Sequence, residues 1–245
     1  EKIALGAKLV TKLWNVARFA ERFIAATEAP ARLPAFAHAD RWLLSRLQRL
    51  VQRVSELYRG YDHAAAKSEI EAFFWQSLCD NYLELAKARL YDEAHPQHES
   101  AVYTLRAALL TTIKLFAPTL PYVTDAIYRE LFAASEGAVS LHVAAWPVAE
   151  ETLVDEEAER VGEALVTVAT LARRYKSETS ISLGAEVSAL YLHTDDPTLT
   201  TALAASEPDL RSVTRARSIA RTDDASLHGA EWRIEEGGVR VGITR

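Results

Sequence analysis

The chain has 245 residues, of which 49% are hydrophobic and 25% are charged, and its formal net charge is −6. This composition is typical of a soluble globular protein with a substantial core, and the length allows one large or two ordinary domains. No run approaches the ~18 apolar residues of a membrane span, and the single cysteine excludes a disulfide framework and a cysteine metal site. We therefore expect a cytoplasmic protein without a membrane partner. Because the chain starts at Glu1 and contains no methionine, we also expect it to be either processed or cut from a longer protein.

Charge is distributed unevenly along the chain. Residues 1–60 hold 11 Lys and Arg against 5 Asp and Glu, whereas residues 61–135 have a net charge of −4 and residues 136–245 one of −8. A local basic surface on an acidic protein favours a specific polyanion site over general coating of nucleic acid.

Helical hydrophobic periodicity covers the first 135 residues. It predicts five helices, over about residues 2–26, 40–58, 63–91, 98–116 and 121–133. Asp40 and Asp62 are predicted N-caps, and Gly60 is a predicted stop signal. Long helices joined by short loops predict an antiparallel helix bundle for residues 1–135.

The period changes near Ser135, and residues 136–245 are predicted to form a small α+β subdomain. Strands are predicted at residues 139–143 and 186–193, and helices at residues 153–177 and 197–205. The C-terminal sequence predicts a β-hairpin that turns at Gly237 and Gly238. The inward-facing residues of this hairpin would be Trp232, Ile234, Val239, Val241 and Ile243.

The predicted first helix carries a polar and aromatic strip beside its hydrophobic face. At about 100° per residue, this strip consists of Lys8, Lys12, Asn15, Phe19 and Arg22. Cations bind phosphates, an amide hydrogen-bonds a base edge, and an aromatic ring stacks on an unpaired base. The alternative is a solvated charged face with one aromatic ring at its edge.

Catalytic motifs are scarce. The sequence contains no G-x-S-x-G, P-loop or G-x-G-x-x-G motif. Asp80 and Glu84 share a helical face, but Lys87 follows at i+3 from Glu84, so we expect a surface ion pair there. His95 and His98 have no thiol ligand nearby, so a metal site is not expected. The chain itself is predicted to be non-catalytic.

Five segments together resemble one family. They are K-L-W-N-V-A-R-F (12–19), D-R-W-L-L-S-R-L (40–47), F-F-W-Q-S-L-C-D-N-Y-L-E-L-A-K-A-R-L-Y (73–91), L-F-A-P-T-L-P-Y-V-T-D-A-I-Y (115–128) and R-R-Y-K-S-E (173–178). In this order and spacing they resemble the anticodon-binding region of class Ia aminoacyl-tRNA synthetases. The third and fifth segments are most similar to valyl-tRNA synthetases, and the resemblance spans nearly the whole chain.

The resemblance implies a helix bundle that docks on the anticodon stem-loop of a tRNA, followed by a small α+β junction. It implies that Asn15 and Phe19 face anticodon bases, while Lys8, Lys12 and Arg22 hold phosphates beside them.

Three cations near residue 175 are further candidates. The resemblance implies contact of Arg173, Arg174 and Lys176 with the tRNA backbone. The alternative is stabilisation of a helix C-terminus by their positive charge.

The chain lacks the H-I-G-H and K-M-S-K-S motifs of the family's catalytic domain. The resemblance therefore implies a valine–tRNA ligase-like parent enzyme that uses ATP and Mg²⁺, and a region here that needs no cofactor. The expected partners are tRNA and the catalytic domain of the parent chain, and we expect a monomer. The alternatives are the same region of an isoleucyl- or leucyl-type synthetase, or a helical protein-interaction module without RNA binding.

Overall fold

The computed structural model describes residues 2–24, 33–222, 227 and 230–245, with residues 2–5 described by their backbone alone. Helices form the larger part of the fold, as predicted. They are α1 (Lys2–Ile24), α2 (His38–Arg59), α3 (His63–Ala72), α4 (Leu83–Tyr91), α5 (His98–Phe116), α6 (Pro121–Leu131), α7 (Ala133–Glu136) and α8 (Glu156–Glu178). Residues 25 and 26, which the sequence assigns to the end of the first helix, lie outside the described residues.

The hydrophobic stripes of these helices meet in one core. Leu13 and Ala20 on the predicted inner face of α1 are fully buried. Side chains of α2 and α5 that recur at helical spacing, among them Leu43, Leu47 and Leu109, are also buried and belong to the same cluster. The mainly helical fold class, with a helix bundle, is therefore confirmed.

The start of α2 differs from the prediction, whereas its end does not. Asp40 is not the N-cap: the helix begins at His38, and the Asp40 carboxylate accepts the Ala37 N–H at 3.3 Å from within the first turn. Asp40 is fully buried, and the guanidinium of Arg89 compensates its charge there through hydrogen bonds of 2.8 and 2.9 Å. Gly60 ends the helix as predicted, and its N–H donates to the Glu56 carbonyl at 2.9 Å.

The predicted helix over residues 63–91 is continuous but has a π-helical middle. Asp62 is its N-cap, as predicted, and accepts the Ala65 N–H at 3.1 Å. Between α3 and α4, residues Phe73–Tyr82 form the π segment. The Asn81 side chain donates to the Gln76 carbonyl at 2.8 Å within this segment. π-helical turns are rare and often occur at functional sites.

The predicted strand at residues 139–143 is wrong. Its centre, Leu141–Val143, is a short 3₁₀ turn. The Asp125 carboxylate accepts the Ser140 hydroxyl at 2.6 Å and the Leu141 N–H at 2.9 Å, so a side chain takes the place of a neighbouring strand. Only Leu141 of the apolar residues in this run is buried, while Val139 and Val143 are exposed.

A four-stranded sheet follows the helices, with β1 (Val187–His193), β2 (Ala216–Arg221), β3 (Trp232–Glu236) and β4 (Val239–Thr244). The strand order is β2-β1-β4-β3, with β1 parallel to β2 and antiparallel to β4. The C-terminal hairpin is confirmed, and Gly237 and Gly238 adopt φ values of 59° and 75°, which favour glycine. The inward residues of β4 are buried, whereas Trp232 and Ile234 are half-buried.

Two elements of this part were not predicted. The predicted helix near residue 200 is present as α9 (Pro197–Ala205), but α10 (Glu207–Thr214) and β2 follow it. β2 is an edge strand in which only Ala216 is buried, so its sequence shows no clear alternation.

Helix α8 packs against both parts of the fold. On one side, Gly162 lies against the indole of Trp42 on α2. On the other side, the Trp232 indole N–H of β3 donates to Glu178 at 2.9 Å. The predicted domain boundary between residues 135 and 136 stays a prediction. None of the described helices combines the length and apolar character that a membrane span requires.

Candidate nucleic-acid interface

The polar strip of the first helix lies at the surface of the bundle. Lys8, Asn15 and Arg22 are exposed, whereas Lys12 and Phe19 are half-buried. These five residues recur along one side of α1, beside the buried face that contains Leu13, and are called the α1 strip below. The strip therefore presents three cations, an amide and a ring at positions that solvent reaches.

The α1 strip contacts the π segment through Lys12. The Lys12 Nζ lies 5.7 Å from the centre of the Trp75 ring, within the range of a cation–π contact. Nearby, burial raises the pKa of the Cys79 thiol to about 12, although the Lys12 charge acts in the opposite direction. Cys79 is therefore a neutral core residue rather than a nucleophile.

Phe19 of the α1 strip belongs to an aromatic cluster with Phe23 and Tyr91. The Phe19 ring centre lies 5.2 Å from that of Phe23 and 6.2 Å from that of Tyr91. Tyr91 is the last residue of α4, and 56% of its surface is exposed. The sequence predicted a functional position for Phe19 but not for Tyr91, because helical periodicity does not show which residues of separate helices meet.

The three predicted cations of α8 have different surroundings. The Arg173 guanidinium donates to the Asp80 carbonyl at 2.8 Å and to the Asn81 side-chain oxygen at 2.7 Å, so it holds the end of the π segment. Arg174 is exposed and pairs with Glu178 at 2.7 Å. Its positive charge remains accessible at the surface.

Lys176 is buried. Its ammonium donates to the carbonyl oxygens of Leu183 and Ala185 at 2.8 and 2.7 Å. Burial lowers its pKa, and the charge of Arg215 adds to the effect. The structure therefore does not bring Arg173, Arg174 and Lys176 together as one surface. Lys176 does not face solvent and is therefore not part of the exposed basic surface.

The arginines of α2 face acidic residues of α8. Arg46 pairs with Glu163 and Arg49 with Glu159, each at 2.6 Å. These pairs neutralise much of the charge of Arg46 and Arg49, whereas Lys8 and Arg22 of the α1 strip are exposed.

The remaining side chains that could act in catalysis or metal binding form contacts with nearby residues. Glu84 and Lys87 form the predicted ion pair at 3.0 Å. The His98 ring nitrogen Nδ1 lies 2.9 Å from the Arg89 carbonyl oxygen. In the part of the chain that the structure describes, no three His, Cys, Asp or Glu side chains come together as a metal site would require.

Arg89 lies at the centre of a buried charged network. Arg89 donates through Nη1 and Nη2 to Asp40 on α2 and through Nε to Asp209 on α10, the last at 2.9 Å. The Tyr82 hydroxyl donates to Asp40 at 2.8 Å. Burial opposes the charge of Arg89, but Asp40 and the other neighbours keep its pKa above the ordinary value. Burial raises the pKa of Asp209 to about 6, although Arg89 acts in the opposite direction.

Comparison with known proteins finds one matching family and several similar relatives. Residues 40–191 match the family described as anticodon-binding domain of tRNA ligase. The chain is 32% identical over 236 residues to the valine–tRNA ligase of Ehrlichia ruminantium, 38% over 222 residues to that of Methanopyrus kandleri, and 38% over 184 residues to that of Anaplasma marginale. These alignments cover 96%, 89% and 75% of this chain but 28%, 24% and 22% of the relatives. The chain thus spans about a quarter of the length of these relatives.

Proposed function

The chain belongs to the family of anticodon-binding domains of tRNA ligases, and from this premise we propose that it binds the anticodon stem-loop of valine tRNA. The relatives that cover most of the chain are named valine–tRNA ligases, which supports valine over the isoleucyl and leucyl alternatives. The activity proposed for the whole enzyme is ATP-dependent attachment of valine to its tRNA. The proposed partners are tRNA and the catalytic domain of the parent chain. The enzyme is proposed to be a monomer in the cytoplasm.

The observation that carries the proposal is the exposed α1 strip in a chain of this family. Phe19 would stack on an unpaired anticodon base, and the Asn15 amide would hydrogen-bond a base edge. Lys8, Lys12 and Arg22 would bind phosphates on either side of these two residues. Arg174, which is also exposed, is a further candidate for backbone contact.

The mechanism proposed for this region is recognition without chemistry. Bases released from the anticodon loop bind to the α1 strip, and phosphate contacts orient the stem. The bound stem-loop thereby directs the acceptor end of the tRNA toward the catalytic domain. Because cations supply much of the binding free energy, affinity falls as salt concentration rises.

Titration of the chain with two fluorescently labelled valine tRNAs tests this function. One tRNA carries its natural anticodon, and the other carries a changed anticodon on the same body. At about physiological salt we expect the natural anticodon to bind roughly 10- to 100-fold more tightly, because each base contact contributes about 1–3 kcal/mol. Equal affinity for the two tRNAs would contradict anticodon recognition.

A matched pair of charge reversals tests whether the α1 strip is the surface used. Lys8→Glu with Arg22→Glu changes two exposed cations of the strip, and Arg53→Glu with Arg59→Glu makes the same charge change on α2. We expect only the first pair to weaken binding strongly and to lower the slope of log affinity against log salt, by nearly one for each phosphate that the variant no longer binds. An equal weakening of binding by both pairs would indicate non-specific attraction.

A further inference from the structure

Tyr91 is an exposed aromatic residue beside the proposed RNA surface, but on a different helix. It ends α4, whereas Phe19 and Phe23 belong to α1. Its ring centre lies 5.3 Å from that of Phe23 and 6.2 Å from that of Phe19. Tyr91 is 56% exposed, whereas both phenylalanines are half-buried against the core. The most accessible ring of the cluster is therefore the one on α4.

The three rings contact one another at steep angles and not as parallel stacks. Tyr91 meets Phe23 at 90° and Phe19 at 68°, and the two phenylalanines meet at 63°. In such edge-to-face contacts no ring of the three lies parallel on another. Contact with two neighbouring rings also restricts the Tyr91 side chain. Little side-chain entropy is therefore lost when a flat ligand binds there.

The charges around Tyr91 favour a base over a phosphate. Asp92 and Glu93 follow Tyr91 directly and are exposed, so a phosphate would be repelled at this position. The cations of the α1 strip lie on the opposite helix, where Arg22 follows Phe19 by one turn. A nucleotide bound over this aromatic cluster can thus direct its phosphate toward the cations of α1 and its base toward Tyr91 on α4.

We propose that Tyr91 is a second base-stacking residue of the RNA site, so that unpaired bases contact aromatic rings from both α1 and α4. The inference rests on the proposed function and extends it. The site is two-sided, with the α1 strip on one side and Tyr91 on the other. Its ligand at Tyr91 is an unpaired base of the anticodon loop, recognised by its flat aromatic surface.

Photo-crosslinking tests direct contact. Anticodon stem-loops that carry 5-iodouridine at one loop position at a time are bound to the chain and irradiated, and the crosslinked peptides are identified by mass spectrometry. We expect at least one loop position to crosslink to Tyr91. Crosslinks to the peptide that contains Phe19 from several positions, with none to Tyr91 from any, would overturn the inference and leave the proposed function intact.

Three substitutions separate stacking from packing. Tyr91→Phe keeps the ring and should bind within about twofold of the unchanged chain. Tyr91→Leu keeps an apolar side chain against the phenylalanines but removes the stacking surface, and should bind roughly 5- to 100-fold more weakly. Phe19→Leu serves as the matched change on α1.

Urea unfolding of each variant shows whether it is folded before affinity is compared. Wild-type affinity for Tyr91→Leu together with weak binding by Phe19→Leu would overturn the role of Tyr91 alone. Failure of the unchanged chain to bind any stem-loop would overturn both this inference and the proposed function.

Discussion

Lys176 is a buried ammonium whose partners are two carbonyl oxygens. Because it donates to Leu183 and Ala185, it ties the loop after α8 back to the helix. These two hydrogen bonds from a buried ammonium hold the loop in place, so this lysine has a structural role that does not require RNA. Arg174, two residues earlier, is exposed and has an acidic partner on its own helix.

Replacement of Lys176 should therefore affect stability rather than binding. We expect Lys176→Met to lower the free energy of unfolding by about 1–3 kcal/mol, because it keeps the length of the side chain but removes both hydrogen bonds to the loop. Arg174→Ala, the matched removal of an exposed cation, should cost less than about 1 kcal/mol. Urea unfolding followed by circular dichroism measures both. A comparable decrease in stability for the two variants would contradict the role given to Lys176.

At the scale of elements, α8 is positioned by close packing on α2. Gly162 is buried against Trp42, and a Cβ atom at Gly162 would lie only 2.0 Å from Cγ of the indole. Trp42 is itself 2% exposed, so a shift of its ring would disturb the packed core around it. Ion pairs of Arg46 and Arg49 with α8 border this contact. The two helices can approach this closely only because residue 162 has no side chain.

Two glycine-to-alanine substitutions in helices should have opposite effects. Gly162→Ala should destabilise the chain by about 2 kcal/mol or more, since overlap with Trp42 outweighs the helix propensity of alanine. Gly6→Ala in α1 meets nothing within 4 Å and should stabilise by up to about 1 kcal/mol. Thermal unfolding of the two variants provides the comparison. A stabilising effect at residue 162 would show that the helices are less closely packed than described.

At the scale of the whole molecule, Arg89 connects the bundle to the α+β part. It lies on α4 and binds Asp40 of α2 and Asp209 of α10 with its one guanidinium. Two buried carboxylates thus share one positive charge. Burial is the main cause that raises the pKa of Asp209 to about 6 despite its ion pair, and the nearby Asp40 carboxylate acts in the same direction.

The raised pKa of Asp209 predicts a pH dependence of stability. Between its ordinary pKa of 3.8 and about 6, the folded chain holds a proton that the unfolded chain has released. The contribution of Asp209 to the free energy of unfolding is therefore fully present below about pH 4 and is lost as pH rises through about 6.

Asp209→Asn isolates this contribution. The wild-type advantage over the variant should shrink by an amount on the order of 1–3 kcal/mol when urea unfolding is repeated at increasing pH across this window. Asp80→Asn, which changes an exposed carboxylate, is the control and should follow the wild type. A difference between wild type and Asp209→Asn that stays constant across the window would contradict the assignment.

The helix bundle, the C-terminal hairpin and the family could be recognised from the sequence alone. Helical spacing identified the buried face of α1 because the backbone itself sets 3.6 residues per turn, and Gly237 and Gly238 identified a turn that needs positive φ. The same local signals failed at Asp40, whose carboxylate is used by Arg89, and at residues 139–143, where Asp125 takes the place of a partner strand.

Only the tertiary structure decided which candidate cations face solvent and which residues stand opposite the α1 strip. Lys176 and Arg174 belong to the same short run of the sequence. Lys176 is buried and donates to carbonyl oxygens, whereas Arg174 is exposed. Tyr91 meets Phe19 although a large part of the bundle separates them along the chain. The physical reason is that periodicity depends on the backbone of one element, whereas burial, charge pairing and ring contacts depend on the elements that pack against it.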